Sequence, residues 1–205
     1  DAIDRGIELL ETVTNNSPEL DLLERLAGLY RRTERREELA NTLSTWANLL
    51  QEPGQIAALL TERGDLLRIY LNDTAGAIEA FTQALGCNPK SREAIHGLLE
   101  VYRERERFPE LARLLERAIP LEAKPESGRL CLELGRLQSE VLGRTMEAIE
   151  TLETAREILP DDTETLRMLG DLYLERSQLE LAFERYQSLY ELYVLEGYDE
   201  PVAPF

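Results

Sequence analysis

Apolar residues recur along most of the chain at steps of three and four, which is the spacing of one face of an α-helix. The pattern is clearest between residues 163 and 196, where it marks two successive helical faces: Leu166, Leu169, Tyr173, then Leu179, Ala182, Tyr186 and Leu189. Asp161 and Asp162 offer N-cap side chains before the first face, and Pro160 ends the preceding helix. This segment therefore predicts two helices joined by a turn.

The helical pattern returns at a fixed interval. Tyr30, Tyr102 and Tyr173 are separated by 72 and 71 residues. Other identical pairs lie 71 residues apart: Gly64 and Gly135, Ala77 and Ala148, Ala84 and Ala155, Pro89 and Pro160. The loop at residues 72–76 is one residue longer than the usual loop of this pattern, and the corresponding loop before Ala148 has the same extra residue. The interval predicts an internal duplication of a unit made of two repeats of about 34 residues each.

Small residues hold fixed places within these units. Gly170 and Ala182 would let the two helices of a pair approach closely, while Tyr173 and Tyr186 fill the space beside them. The segments Leu166-x-x-Leu169-Gly170-x-x-Tyr173 and Ala77-Ile78-Glu79-Ala80-Phe81-x-x-Ala84-Leu85-x-x-x-Pro89 resemble the two halves of a tetratricopeptide repeat (TPR). The resemblance implies an all-α, right-handed superhelical solenoid of antiparallel helix pairs, with about eleven helices.

The 71-residue frame divides the chain into repeats. Leu99 and Leu111 replace the usual small residues in one of the two degenerate repeats. Because the chain opens at Asp1 partway through a repeat, we expect further sequence upstream. The predicted segments are a lone second helix (1–18), a degenerate repeat (19–53), a repeat (54–90), a degenerate repeat (91–124), two further repeats (125–161 and 162–196) and a non-helical tail (197–205).

Charge and cysteine content narrow the functional classes. A net charge of −17 argues against nucleic acid as the partner, because phosphate binding needs a concentrated basic face. Cys87 and Cys131 have no metal-binding or redox spacing, and Cys131 aligns with an apolar repeat position, which predicts a buried thiol. No apolar run reaches the length of a membrane span. We therefore expect a cytoplasmic protein that is not inserted in a membrane.

No catalytic pattern emerges from the residues. His96 is the only histidine and has no partner at metal-ligand or triad spacing. The acidic pairs are typical of solvated helix faces and caps, and no glycine-rich phosphate loop is present. We predict no enzymatic activity, no cofactor and no metal.

The resemblance implies that the first helix of each repeat lines a concave groove. The candidate groove residues are Arg31, Arg68, His96, Arg103, Arg136, Arg167 and Asp171. These charges could grip an extended peptide, or they could pair along and between adjacent helices. The chaperone-binding carboxylate clamp of some family members is not implied, because acidic residues such as Asp65, Glu100 and Asp171 stand where that clamp has asparagines and lysines.

The function implied by this fold is protein–protein interaction, as an assembly scaffold or adaptor. Aromatic residues crowd the C-terminal end, and such residues concentrate at interface cores. The candidate end-face residues are Tyr190, Tyr193, Val194 and Tyr198, with self-association through the repeat ends as one use. The alternatives are a transient peptide-binding module that uses the groove, and a regulatory repeat segment of a larger enzyme.

Overall fold

The computed structural model describes residues 2–195, and every regular element among them is helical. The chain divides into two compact units, Asp1–Glu106 and Arg107–Phe205. Tyr198 and the rest of the predicted tail (197–205) lie outside the described residues.

The first unit contains six helices within its described part. Side-chain caps begin several of them: Glu52, Asp73 and Ser91 each accept a hydrogen bond from backbone N–H groups of the first turn. Each helix packs against the next one along the chain, so successive helices run antiparallel, and the fourth also packs against the sixth. The helices are α1 (Ala2–Asn16), α2 (Leu20–Thr33), α3 (Arg36–Leu49), α4 (Pro53–Ile69), α5 (Thr74–Cys87) and α6 (Arg92–Glu104).

The second unit contains five α-helices within its described part. They are α7 (Phe108–Ala118), α8 (Glu126–Arg136), α9 (Thr145–Ile158), α10 (Thr163–Glu175) and α11 (Leu179–Leu195). A 3₁₀ turn (Ile119–Leu121) lies between α7 and α8, and a π-helical turn (Leu137–Val141) extends α8. Asp162 caps α10 by accepting from the Thr165 N–H at 2.8 Å, as the sequence predicted.

Glycine faces a large side chain at several helix contacts of the described residues, and three of these contacts show the same relation. A Cβ on Gly64 of α4 would lie 2.6 Å from the ring of Phe81 on α5. The same relation joins Gly135 to Leu152, and Gly170 to Tyr186 at 2.7 Å. Real Cβ atoms do not approach other heavy atoms so closely, so only glycine allows these helices their present separation. The predicted roles of Gly170 and Tyr186 are confirmed.

The duplicated turn keeps its geometry in both copies. Asn72 and Gly143, 71 residues apart, both adopt left-handed backbone conformations, with φ of 52° and 65°. In each copy the N–H of the following residue donates to the carbonyl six positions back, at 2.9 Å and 2.7 Å. A second left-handed position follows each of the three recurring tyrosines by four residues, at Glu34, Glu106 and Ser177. The extra residue therefore belongs to a specific turn that was copied with its repeat.

Candidate protein-interaction surfaces

The candidate groove arginines of the first unit are engaged with carboxylates. Arg31 on α2 makes two parallel hydrogen bonds of 2.7 Å to Glu62 on α4, and these bonds raise the pKa of the Arg31 guanidinium. Arg68 on α4 donates to Glu104 on α6 at 3.0 Å. Burial raises the pKa of Asp65, between these pairs along α4. Partly exposed pairs of this kind stabilise a fold by about 0–1 kcal/mol each.

Arg103 and His96 complete the candidates in this unit. Arg103 bonds Glu100 one turn earlier on the same helix, α6. His96 is half-buried on the same helix. A peptide carboxylate that approached the arginines would have to displace an existing partner, and their role in binding stays a prediction.

The second unit repeats the arrangement. Arg136 on α8 bonds Glu164 on α10, and Arg167 lies 3.5 Å from Asp171 and 4.0 Å from the same Glu164. Asp171 also accepts a 2.6 Å hydrogen bond from the Tyr186 hydroxyl. Burial, followed by this bond, raises the pKa of Tyr186. Glu62 and Glu164 were not among the predicted residues, because sequence spacing does not say which acid on a neighbouring helix an arginine will reach.

Two similar tyrosine–glutamate pairs join a second helix to the first helix of the next repeat. The Tyr30 hydroxyl donates to Glu11 at 2.6 Å, and the Tyr173 hydroxyl donates to Glu153 at 2.8 Å. Burial opposes ionisation of Glu153. Hydrogen bonds from Arg156 and Tyr173, together with the charge of Arg185, outweigh this effect and hold the pKa of Glu153 below its ordinary value. Neither pair was predicted from the sequence, although both tyrosines occupy the position that recurs in the repeats.

Helix α11 presents an apolar stripe to solvent. Phe183 is 68% exposed, and Leu179, Tyr190 and Val194 are also exposed. Because successive residues of an α-helix are rotated by about 100° around its axis, these four side chains fall within an arc of about 60°. The buried face of α11, which carries Ala182 and Leu189, lies about 100° around the helix axis from the centre of the stripe.

The predicted end-face residues lie on or beside this stripe. Tyr190 and Val194 belong to it, whereas Tyr193 is half-buried on its border and Tyr198 lies outside the described residues. Phe183 and Leu179 were missed. The signal that could have found them was the spacing of four and seven residues that places Leu179 and Phe183 on the same helical face as Tyr190 and Val194.

The described residues offer few other chemical sites. They contain no group of three or more His, Cys, Asp or Glu side chains placed to hold a metal ion. None of the described helices combines the length and apolarity needed to cross a membrane. Cys131 is buried, as expected, and burial raises the pKa of its thiol.

The chain is similar in fold to several proteins of known structure. No protein-family model and no curated protein matches this sequence. Among solved structures, the chain is similar to a crystal structure of MamA, with 17% identity, a TM-score of 0.58, and coverage of 90% of this chain and 98% of that one. MamA from Desulfovibrio magneticus RS-1 is 21% identical, with a TM-score of 0.52 and coverage of 88% and 97%.

A third similar structure is YrrB, described as a TPR protein with an unusual peptide-binding site. It is 21% identical, with a TM-score of 0.52, and the match covers 70% of this chain and 79% of YrrB. These similarities agree with the all-helical fold of the described residues. The predicted class, an all-α solenoid of antiparallel helix pairs, is thus confirmed, and the chain has the tetratricopeptide-repeat fold.

Proposed function

We propose that this protein is a non-catalytic protein–protein interaction module that acts as an assembly scaffold or adaptor. The observation that carries the proposal is the exposed stripe of Leu179, Phe183, Tyr190 and Val194 on α11. Large apolar side chains gathered on one exposed face are typical of interaction surfaces. Each such side chain contributes about 1.5–3 kcal/mol when it is fully buried.

The charge beside the stripe selects the kind of partner. Glu180, Glu184 and Glu191 are exposed and run along one border of the stripe. A second copy of this chain would bring the same acidic border and a net charge of −17. The occupant we propose is an amphipathic helix of another protein, with an apolar face bordered by lysine or arginine.

The groove has weaker support as the main binding surface. Its arginines already bond carboxylates on α4, α6 and α10, whereas the α11 stripe faces solvent. YrrB has a peptide-binding site, and a peptide site in the groove of this chain is the second candidate. The two candidates involve different helices and can be separated by mutation.

A labelled helical peptide tests the proposal. The probe is an 18-residue designed helix with a leucine face and a lysine border, and its affinity is measured by fluorescence anisotropy. We expect Phe183→Glu and Val194→Glu to weaken binding by ~10-fold or more each, since ~1.4 kcal/mol is a tenfold change. The control Leu9→Glu, an equally exposed leucine on α1, should leave the affinity unchanged.

The remaining outcomes assign the surface to another occupant or reject it. Equal binding of a peptide with a glutamate border would contradict the charge argument. Unchanged affinity in both α11 variants would reject the stripe as the site. Light scattering that shows a concentration-dependent dimer, abolished by Phe183→Glu, would mean that a second copy occupies the face.

A further inference from the structure

A cleft opens in the first unit between α1, α2 and α3. Its volume is about 430 Å³, and its polar lining includes Glu11, Thr14, Tyr30, Glu38, Asn41 and Thr42. Leucines from α2 form the apolar part of the lining. All of these residues belong to the first unit, and none of them is part of the α11 stripe.

One hydroxyl in the polar lining has no hydrogen-bond partner. Thr14 is only 7% exposed, and its hydroxyl oxygen is buried without a hydrogen-bond partner. By contrast, the Thr42 hydroxyl donates to the Glu38 carbonyl at 2.8 Å. Buried polar atoms are nearly always hydrogen-bonded in native proteins, so the unpaired Thr14 oxygen marks a polar position suited to a bound polar group.

The second unit contains a counterpart of this cleft in which cations fill the space. There the Tyr173–Glu153 pair joins α10 to α9, as Tyr30–Glu11 joins α2 to α1. Glu153 accepts from Arg156 at 2.6 Å and from Arg185 at 3.2 Å. The Arg185 side chain is only 14% exposed. A carboxylate in this position thus binds two guanidinium groups.

The first unit has threonine at both arginine positions. Arg156 lies three residues after Glu153, and Thr14 lies three residues after Glu11. Arg185 lies twelve residues after Tyr173, and Thr42 lies twelve residues after Tyr30. Replacing two long cationic side chains by short hydroxyl side chains opens the cleft and leaves its glutamate without the guanidinium partners.

The electrostatics of the cleft favour a cation. Burial raises the pKa of Tyr30, and the hydrogen bond to Glu11 and the charges of Glu11 and Glu38 raise it further. Arg35 opposes this effect, but its guanidinium is bonded to Asp4 at 2.9 Å. Two carboxylates, Glu11 and Glu38, therefore line the cleft, and the arginine whose charge lowers the pKa of Tyr30 is itself bonded to a third carboxylate.

We propose that the cleft between α1, α2 and α3 binds the guanidinium group of an arginine side chain supplied by a protein partner. The planar fork of a guanidinium pairs with a carboxylate through two parallel hydrogen bonds, as Arg31 does with Glu62, and Glu11 offers a carboxylate of this kind. Thr14 provides a further acceptor on the floor, and the leucines cover the aliphatic stem. The site belongs to the first unit, and its proposed use does not depend on the function proposed for the α11 stripe.

Binding can be measured directly on the whole chain by NMR. The probe is acetyl-Gly-Arg-Gly-amide, titrated into ¹⁵N-labelled protein. We expect saturable shifts in the amides of residues 11–14 and 41–45, with a Kd on the order of 1–10 mM. The matched acetyl-Gly-Lys-Gly-amide should bind at least ~5-fold more weakly, because an ammonium lacks the planar fork. Glu11→Gln should weaken arginine binding by ~10-fold, and the control Glu8→Gln, on the exposed side of α1, should not.

An internal arginine supplies the second test. Thr42→Arg should place a guanidinium where Arg185 stands in the second unit, raise the melting temperature and abolish the peptide shifts. Asn48→Arg, an exposed site on the same helix, is its control. If Thr42→Arg fails to fold, the wild-type and Glu11→Gln titrations still decide the matter.

Three results would overturn the proposal. One is the absence of shifts in the named amides at ~20 mM peptide, well above the expected Kd. Another is equal binding by the wild-type and Glu11→Gln proteins. The third is tighter binding of free arginine than of the blocked peptide, which would identify the cleft as a small-molecule site rather than a protein contact.

Discussion

Replacing Gly64 by alanine tests the packing that sets the distance between α4 and α5. The new Cβ would lie 2.6 Å from one carbon of the Phe81 ring and 2.8 Å from two others. The ring has little room to retreat, because a Cβ on Gly97 of α6 would lie 2.4 Å from the same ring and Phe81 is fully buried. The helices must therefore separate or the ring must leave its preferred rotamer.

The expected magnitude follows from two opposed effects. Overpacking of a filled core costs about 1–3 kcal/mol, and confinement between two glycines places this site toward the upper end. Alanine recovers about 1 kcal/mol through its higher helix propensity. We expect Gly64→Ala to lower the free energy of unfolding by about 1–2 kcal/mol, or the melting temperature by about 2–8 °C for a chain of this size.

Urea and thermal unfolding followed by circular dichroism would measure this change. Gly28→Ala is the matched control, because a Cβ at this α2 position meets nothing within 4 Å. The control should be neutral or stabilising by up to about 1 kcal/mol. Adding Phe81→Leu should make the double variant less unstable than the sum of the two single changes. A Gly64→Ala protein as stable as Gly28→Ala would refute the packing argument.

Three further predictions address the backbone, pH dependence and thiol reactivity. Ser177→Gly should raise the free energy of unfolding by about 0.5–1 kcal/mol in urea titrations, because glycine tolerates the left-handed φ of 59°. By contrast, Ser188→Gly inside α11 should lower it by about 0.5 kcal/mol. The depressed pKa of Glu153 stabilises the fold above the ordinary value of 4.5 and ceases to do so as pH falls through the folded value. Glu153→Gln should thus flatten the acid limb of a melting-temperature curve between pH 7 and 3, and an unchanged acid limb would contradict the assignment. In the native protein, Ellman's reagent should modify half-exposed Cys87 well before buried Cys131, with both reacting together in denaturant.

The division of the chain into two units does not coincide with a boundary between predicted repeats. Their boundary falls between α6 and α7, inside the degenerate repeat predicted at 91–124. This is the repeat in which Leu99 and Leu111 stand where other repeats have small residues. The repeat boundaries themselves stay a prediction, and the position of the division along the chain was not foreseen.

Helices, caps and turns could be predicted from the sequence because they depend on residues close together in the chain. Three- and four-residue spacing predicted the helices, Asp162 predicted a cap, and the order of Gly170 and Tyr186 predicted a close helix pair. The 71-residue interval predicted a duplication whose turns share the same backbone hydrogen bonds. Each of these features is determined by a side chain's size or by its own backbone conformation.

Only the tertiary structure decided which charges meet across helices. The sequence predicted Arg31 as a groove residue, but its bidentate partner Glu62 depends on the rotation and offset of α4 against α2. The cleft at Glu11 likewise depends on the packing of three helices and on the space that the short Thr14 and Thr42 side chains leave unfilled. Long charged side chains have many rotamers, so their partners follow from the packed positions of helices rather than from spacing along the chain.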